Sequence, residues 1–252
     1  MLWFEHDLFD QLQLIDALAL AVEAGGTPEL IVVGSFPGKP SFRGLGELNP
    51  DELQTLWPAR AAAGPEALSA ATAAWDALRA PEPVALAQWV EHGSPALPFA
   101  GAALQRLLEE LPAPGDGLSG TERRALRAIA DGAQTPAAAF RAAQDLEEAP
   151  FQGDTWFYRA LTGLGRGPER LVETGAGEEL PPPPPLGEGR AFASLPLRLT
   201  RKGECVLAGK ADRVELLGVD RWVGGTHVTS ESVWRWDRRR GTLVWEDVRL
   251  DP

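Results

Sequence analysis

The pattern of apolar and polar positions predicts a strand, a helix and a second strand at the start of the chain. Leu2 to Glu5 is an apolar run of strand length, and apolar residues then recur at helical spacing from Leu8 to Glu23. Gly25-Gly26 follows, where glycine can adopt the left-handed conformation that ends a helix. The run ELIVVG at Glu29 to Gly34 is almost continuously apolar, as in a strand covered on both faces. This order predicts a βαβ unit, a Rossmann-like fragment with a right-handed crossover between parallel strands.

Helix signals dominate the residues after the second strand. Asn49-Pro50 opens a helix, because asparagine caps helix starts and proline suits the first turn. Further helices are expected near residues 65–79, 84–91 and 100–111. Two strands alone do not form a stable sheet, so we expect either that a later segment completes it or that the chain is a fragment.

The second half predicts three helices followed by a β-hairpin, which is the order of a winged helix. It begins after the Pro- and Gly-rich stretch Pro112 to Gly117, which separates the predicted domains 1–116 and 117–252. Its three helices are capped by Ser119, Thr135 and Asp154, and Ser119 forms a capping box with Glu122. Strands follow at Leu171-Val172 and Ala191 to Leu199. Thr200 caps a further helix, and the chain ends in a tail hairpin from Val233 to Trp245. The predicted fold class is α+β: a βαβ piece, a helical middle, a winged-helix-like module and a C-terminal β-hairpin.

Five consecutive prolines, Pro181 to Pro185, interrupt the predicted hairpin of this module. Such a run has no backbone donors and favours an extended, solvated polyproline conformation. We therefore expect Thr174 to Gly189 to form an exposed, disordered hairpin loop.

The net charge of −12 is concentrated in the first half of the chain. Residues 1–116 hold five lysines and arginines against sixteen aspartates and glutamates, whereas residues 117–214 hold thirteen of each kind. An acidic half repels nucleic acid and anionic membranes, so only the second half is expected to meet DNA. The single cysteine, the lack of a secretory pattern and the lack of a long apolar stretch predict a cytoplasmic protein that does not contact a membrane.

The densest group of acid–base side chains follows the first strand. Glu5, His6 and Asp7 lie at the carboxyl end of that strand, where α/β proteins usually bind ligands. Asp10 shares a helix face with Asp7, so these oxygens could hold a divalent cation or perform acid–base chemistry. The alternative, which we favour, is structural: Asp7 caps the helix and Asp10 complements its dipole. No metal site or other cofactor is predicted on this interpretation.

A second candidate lies in the loop after the second strand. The sequence Gly34 to Pro40 resembles a phosphate loop, but its glycines are one residue too close and Pro40 replaces the hydroxyl residue that would meet magnesium. Lys39 and Arg43 are the only basic residues among the first 59, so they are candidates for binding an anion. A solvated loop is the favoured interpretation.

Two further groups of candidates lie in the second half. Asp220, Arg221 and His227 could form a polar cluster beside the paired glycines that follow Val223, although a bulged strand with an internal Asp–Arg pair is favoured. The predicted third helix of the winged-helix-like module carries the candidates for binding a macromolecule, which are Trp156, Tyr158 and Arg159.

Seven stretches together resemble one bacterial family, catalogued as domain of unknown function eighteen thirty-five. They are LWFEHDLFDQLQL at the start, GLGEL at Gly44 to Leu48, LPF at Leu97 to Phe99, GLSGTE at Gly117 to Glu122, APFQGD at Ala149 to Asp154, LTRKGECVLAG at Leu199 to Gly209 and DRWVGGTH at Asp220 to His227. The resemblance covers nearly the whole chain. It implies a further N-terminal α/β segment before LWFEHDL, which this chain lacks, and it implies no reaction or catalytic residue.

The leading functional hypothesis is a regulatory or adaptor protein that binds a protein or DNA through residues 117–252. Three aromatic and basic side chains are few for DNA, where phosphate contacts need lysine and arginine. The alternative is a metal-assisted enzyme that acts on a phosphorylated substrate at the N-terminal strand ends, with Glu5, His6, Asp7, Lys39 and Arg43 at its site.

Overall fold

The computed structural model of the chain describes residues 1–183, 185 and 187–247, and its architecture is α+β, as predicted. The chain forms two units. The first comprises residues 1–108 with the short segments 149–151 and 224–226. The second comprises residues 109–148, 152–223 and the described residues from His227 onward. No helix in the described part of the chain has the length and apolar character needed to cross a bilayer.

The first unit begins with the predicted strand–helix–strand sequence. Its elements are β1 (Leu2–Glu5), α1 (Leu8–Glu23), β2 (Glu29–Val33) and β3 (Ala61–Ala62). β1 and β2 pair in parallel, with Leu2 opposite Leu30, and this confirms the parallel pairing. The segment that extends the sheet is β3, which pairs antiparallel to β2 and gives the strand order β1-β2-β3.

Four helices follow in the first unit, in the regions where the sequence predicts helices. They are α2 (Pro50–Leu56), α3 (Pro65–Arg79), α4 (Val84–His92) and α5 (Ala100–Leu108). Asn49 and Glu52 form a capping box at the start of α2. α1 packs against α3 and α5, and buried Ala71 and Ala74 of α3 allow close packing in the core of the unit.

Three mutually packed helices open the second unit: α6 (Gly120–Ala130), α7 (Pro136–Gln144) and α8 (Asp154–Leu164). Leu126, Phe157 and Leu161 are buried at their centre. The caps at Ser119 and Thr135 are confirmed. The cap at Asp154 is wrong, because Gly153 is the N-cap residue and Asp154 is already helical. An aspartate in the first turn is still favoured by the helix dipole, which explains the similar sequence signal.

The hairpin of the second unit is shorter than predicted. Its two strands are β4 (Val172–Thr174) and β5 (Leu197–Leu199). The short helix α9 (Gly189–Ala193) lies between them in sequence, and α10 (Arg201–Leu207) follows β5. β4 and β5 pair antiparallel, but the first part of the strand predicted from Ala191 is a short helix that buries Phe192 in the core. Pro196 separates this helix from β5, since the residue before a proline is disfavoured in helical conformation. Thr200 caps α10 as predicted.

The proline-rich loop is anchored at its start. Leu180 is 2% exposed, and its N–H donates to the carbonyl of Gly165 over 2.9 Å. The prediction of a wholly exposed loop from Thr174 to Gly189 is therefore wrong at Leu180, because burying an apolar side chain in the core lowers the free energy of the folded state. Within the predicted polyproline loop, Pro184 and Leu186 lie outside the described residues.

A four-stranded antiparallel meander ends the described chain. After α11 (Arg213–Leu217) come β6 (Asp220–Val223), β7 (Thr226–Thr229), β8 (Ser232–Asp237) and β9 (Thr242–Asp247), in the order β6-β7-β8-β9. β8 and β9 form the predicted tail hairpin, with Trp234 opposite Trp245. Gly241 has a φ of +65° in its turn, a conformation that glycine adopts without strain.

Candidate functional site

Three carboxylates converge at the carboxyl end of β1. Glu5 is the last residue of the strand, Asp7 is the N-cap of α1 and Asp10 lies in the first helical turn. One oxygen of each carboxylate lies within 4.8 Å of the others, and we call these three residues the carboxylate cluster. The cluster is the convergence that the spacing of Asp7 and Asp10 predicts.

Backbone hydrogen bonds account for the position of each carboxylate. Asp7 Oδ1 accepts from the N–H of Asp10 over 3.0 Å, which confirms the capping role. Asp10 Oδ2 accepts from the N–H of Glu5 over 2.5 Å, and the Gln11 side chain donates to the Glu5 carbonyl over 2.6 Å. The first turn of α1 therefore ties the strand end to the helix start.

The loop after β2 supplies a contact that sequence reasoning missed. Glu5 Oε1 accepts from the N–H of Leu45 over 2.5 Å. A Cβ added to Gly44 would clash with the Glu5 carboxylate, so this close approach of the carboxylate to the loop depends on glycine at position 44. The sole sequence signal was the glycine of the GLGEL stretch, which carries no information on a partner forty residues away.

No lysine or arginine among the described residues pairs with the carboxylate cluster. Burial raises the pKa of Glu5 above its ordinary value; the Leu45 N–H opposes this shift, and the charges of Asp10 and Asp7 add to it. Burial likewise raises the pKa of Asp7, which is 6% exposed, against the opposing effect of the Asp10 N–H. The cluster therefore holds concentrated negative charge, which backbone hydrogen bonds and, at Asp7, the charge of neighbouring His6 partly compensate.

The raised pKa of Asp7 predicts a pH dependence of stability. A carboxyl whose pKa is raised on folding contributes stability that is fully present below its unfolded value, near 3.8, and is lost as pH rises through the folded value. Asp7→Asn keeps the capping oxygen but removes the titration. Relative to wild type, the variant should therefore gain stability as pH rises from below 3.8 to neutral. Urea unfolding of both proteins across this range measures it, and a pH-independent difference would contradict it.

His6, Lys39 and Arg43 do not join the carboxylate cluster. The His6 ring lies edge-on to Phe99, with centroids 6.0 Å apart, and its buried Nδ1 has no hydrogen-bond partner in the described chain. Lys39 Nζ donates to the Glu47 carbonyl over 3.0 Å and lies 3.4 Å from a Glu52 carboxylate oxygen. The Arg43 N–H donates to the Glu47 carboxylate over 3.3 Å. These contacts show that Lys39 and Arg43 hold the loop together. Anion binding by these two residues stays a prediction.

The predicted cluster of Asp220, Arg221 and His227 is divided between two environments. His227 Nε2 lies 2.7 Å from Asp220 Oδ1, and the His227 ring stacks on Trp222 with centroids 4.5 Å apart. Arg221 instead pairs with the buried carboxylate of Glu122 over 3.4 Å. Asp220 and His227 therefore meet as the cluster predicts, whereas Arg221 does not join them. The favoured internal Asp220–Arg221 pair is wrong, because neighbouring residues of a strand point to opposite faces.

The three candidates on α8 also separate. Trp156 is 62% exposed, and the Arg159 guanidinium lies 5.1 Å from its ring centroid. Tyr158 is only 4% exposed and packs against Phe192, so its inclusion among the macromolecule-binding residues is corrected. Helical spacing explains the split, since neighbouring positions point about 100° apart around the helix.

No protein-family model, curated protein or solved structure matches the chain. The resemblance to the family catalogued as domain of unknown function eighteen thirty-five therefore stays a prediction. The candidate sites rest on their geometry.

Proposed function

We propose that the chain is a regulatory or adaptor protein that binds another protein through the exposed face of α8. The observation that carries this proposal is the pairing of an indole that is 62% exposed, Trp156, with the guanidinium of Arg159. Tryptophan and arginine are the residues that most often dominate protein interfaces, because they combine large apolar area with polar groups.

The architecture around α8 supports this choice of face. α6, α7 and α8 are followed by the antiparallel pair β4–β5, and the Leu197 N–H donates to the Gln134 carbonyl between α6 and α7 over 2.8 Å. This order resembles that of a winged-helix module, whose recognition helix contacts DNA, and we propose that the third helix here contacts a protein instead. The exposed residues of α8 and its C-terminal end are Asp154, Trp156, Arg159, Gly163 and Arg166. All of them except Asp154 follow one another at a spacing of three or four residues and so lie on one face.

Charge favours a protein partner over DNA. Residues 117–214 have no net charge, and basic side chains near the module are neutralised, as in the pairs Arg198–Glu173 and Lys202–Glu169. A face built for DNA normally carries many lysines and arginines for phosphate contacts, and the exposed face of α8 and its C-terminal end carries only two arginines. Arg159 and Arg166 have no carboxylate partner within the described residues, so they complement a partner that presents acidic groups.

A comparative pull-down from cell extract tests the proposal. Wild type, Trp156→Ala and Arg159→Glu serve as baits, and Trp222→Ala is the matched control because Trp222 is 65% exposed in the same unit. We expect a protein retained by wild type and Trp222→Ala to be reduced at least tenfold with the two α8 variants. The purified partner should then show the same pattern by isothermal titration. Equal retention by all four baits would contradict the proposal.

Binding to duplex DNA is the alternative to a protein partner. We expect no appreciable change in fluorescence anisotropy when the full chain is added to random or genomic duplexes at physiological salt. Tight binding with a steep salt dependence, reduced by Arg159→Ala, would replace the protein partner with DNA.

A second candidate function is metal-assisted catalysis at the carboxylate cluster, favoured by the convergence of three carboxylates with which no lysine or arginine of the described residues pairs. Aspartate and glutamate oxygens are the ligands that hard divalent cations prefer. The capping role predicts that Asp7→Ala costs about 0.5–2 kcal/mol and Asp7→Asn much less, without dependence on metal. Thermal unfolding with and without Mn²⁺ separates the two. A large Mn²⁺-dependent rise in the melting temperature of wild type that is absent in Asp7→Asn would favour the second candidate.

A further inference from the structure

A groove lies between α3 and α4 of the first unit. Its volume is about 690 Å³, and its apolar lining comes from Ala73, Ala77, Ala85 and the ring of Trp89. Alanine side chains are small, so the two helices leave an open channel beside the larger indole. The groove is separate from both the carboxylate cluster and α8.

Two carboxylates, Asp76 and Glu91, are part of the groove lining. Both residues are exposed, and neither has an ion-pair partner within the described residues. The lining contains no lysine or arginine, and Nδ1 of its His92 donates to the Gln88 carbonyl over 2.7 Å. The groove therefore combines an aromatic face with uncompensated negative charge.

The first unit as a whole reinforces this charge. It contains five lysines and arginines against thirteen aspartates and glutamates, a net charge of −8. A field of this sign attracts cationic ligands and raises their rate of association. The ligand that fits is therefore a cation with an apolar or planar surface.

We infer that this groove binds an arginine side chain of a basic peptide segment in a partner. A guanidinium is planar, so it can stack on the Trp89 indole while its N–H groups donate to Asp76 or Glu91. The same chemistry already occurs within the chain, where Arg60 lies over the Trp57 ring at 4.8 Å and Arg79 over the Trp75 ring at 5.6 Å. Trp89 is half-buried, lines the groove and has no such internal cation or ring partner in the described chain.

Isothermal titration of the full chain with a short arginine-containing peptide tests the inference. A matched peptide with citrulline, a neutral isostere of arginine, is the ligand control. We expect at least tenfold weaker binding of the citrulline peptide. We also expect at least tenfold weaker binding of the arginine peptide to the double variant Asp76→Asn/Glu91→Gln, and a similar loss in Trp89→Leu but a smaller one in Trp89→Phe.

A second double variant separates the groove from the general charge of the unit. Glu23→Gln/Glu66→Gln also removes two negative charges, but from exposed positions outside the groove lining. It should bind the arginine peptide within twofold of wild type. Equal losses in both double variants would show attraction to the acidic unit alone and would overturn the inference, as would the absence of binding at low salt. Circular dichroism of each variant verifies folding, and Asp76→Asn/Glu91→Gln changes only exposed side chains.

Discussion

Arg235→Ala is expected to destabilise the second unit by about 3–5 kcal/mol. Arg235 is 5% exposed, and its Nη1 donates to Asp212 Oδ2 over 2.8 Å and to the Ala113 carbonyl over 3.1 Å. Its Nε contacts a Glu246 carboxylate oxygen at 2.5 Å. Removing the guanidinium leaves Asp212, which is 9% exposed, as an unpaired buried charge. Urea unfolding measures the change in the free energy of unfolding.

Two comparisons make this prediction specific to the buried pair. Arg240→Ala should change stability by less than about 1 kcal/mol, because its side chain is 80% exposed and lies 3.8 Å from Asp237. Combining Arg235→Ala with Asp212→Asn should cost less than the sum of the single changes, since the unpaired charge is gone and asparagine can still cap α11. Additive losses would show that Arg235 and Asp212 do not stabilise each other.

Leu180→Ala is expected to destabilise the second unit by about 2–5 kcal/mol, because it leaves a cavity in a packed core. Leu180 is 2% exposed in the proline-rich segment, and its side chain lies where a Cβ on Gly165 would be. Leu146→Ala is the matched control: the same truncation at a leucine that is 51% exposed should cost less than about 1 kcal/mol. Equal effects of the two variants in thermal unfolding would contradict the anchoring of this segment.

Local sequence signals predicted the helix starts because their physical range is short. Asp7, Asn49, Ser119, Thr135 and Thr200 each accept from an N–H three residues ahead. Such bonds form within one turn and need no tertiary contact. Parallel pairing of β1 with β2 was predictable for a related reason, since the apolar pattern of each strand and the length of α1 restrict the topology.

Several of the contacts that the sequence did not predict join distant residues. Burial of Tyr158 and Phe192 depends on their contact with each other, and the partner of Arg235 at Ala113 lies 122 residues away. The Glu5–Leu45 contact likewise joins two segments that periodicity treats separately. Of the proposed interface on α8, sequence indicated Trp156 and Arg159, but only the helix orientation shows that Tyr158 faces the core.

Photo-cross-linking from α8 in living cells tests the central claim most directly. The photoreactive residue p-benzoyl-phenylalanine replaces Trp156 in the full chain, or Trp222 as the control at an equally exposed position of the same unit. The account predicts that irradiation joins position 156 to one discrete protein, that position 222 gives no such product, and that adding Arg159→Glu abolishes it. A product from position 222 and none from 156, or a product from 156 that persists with Arg159→Glu, would contradict the claim.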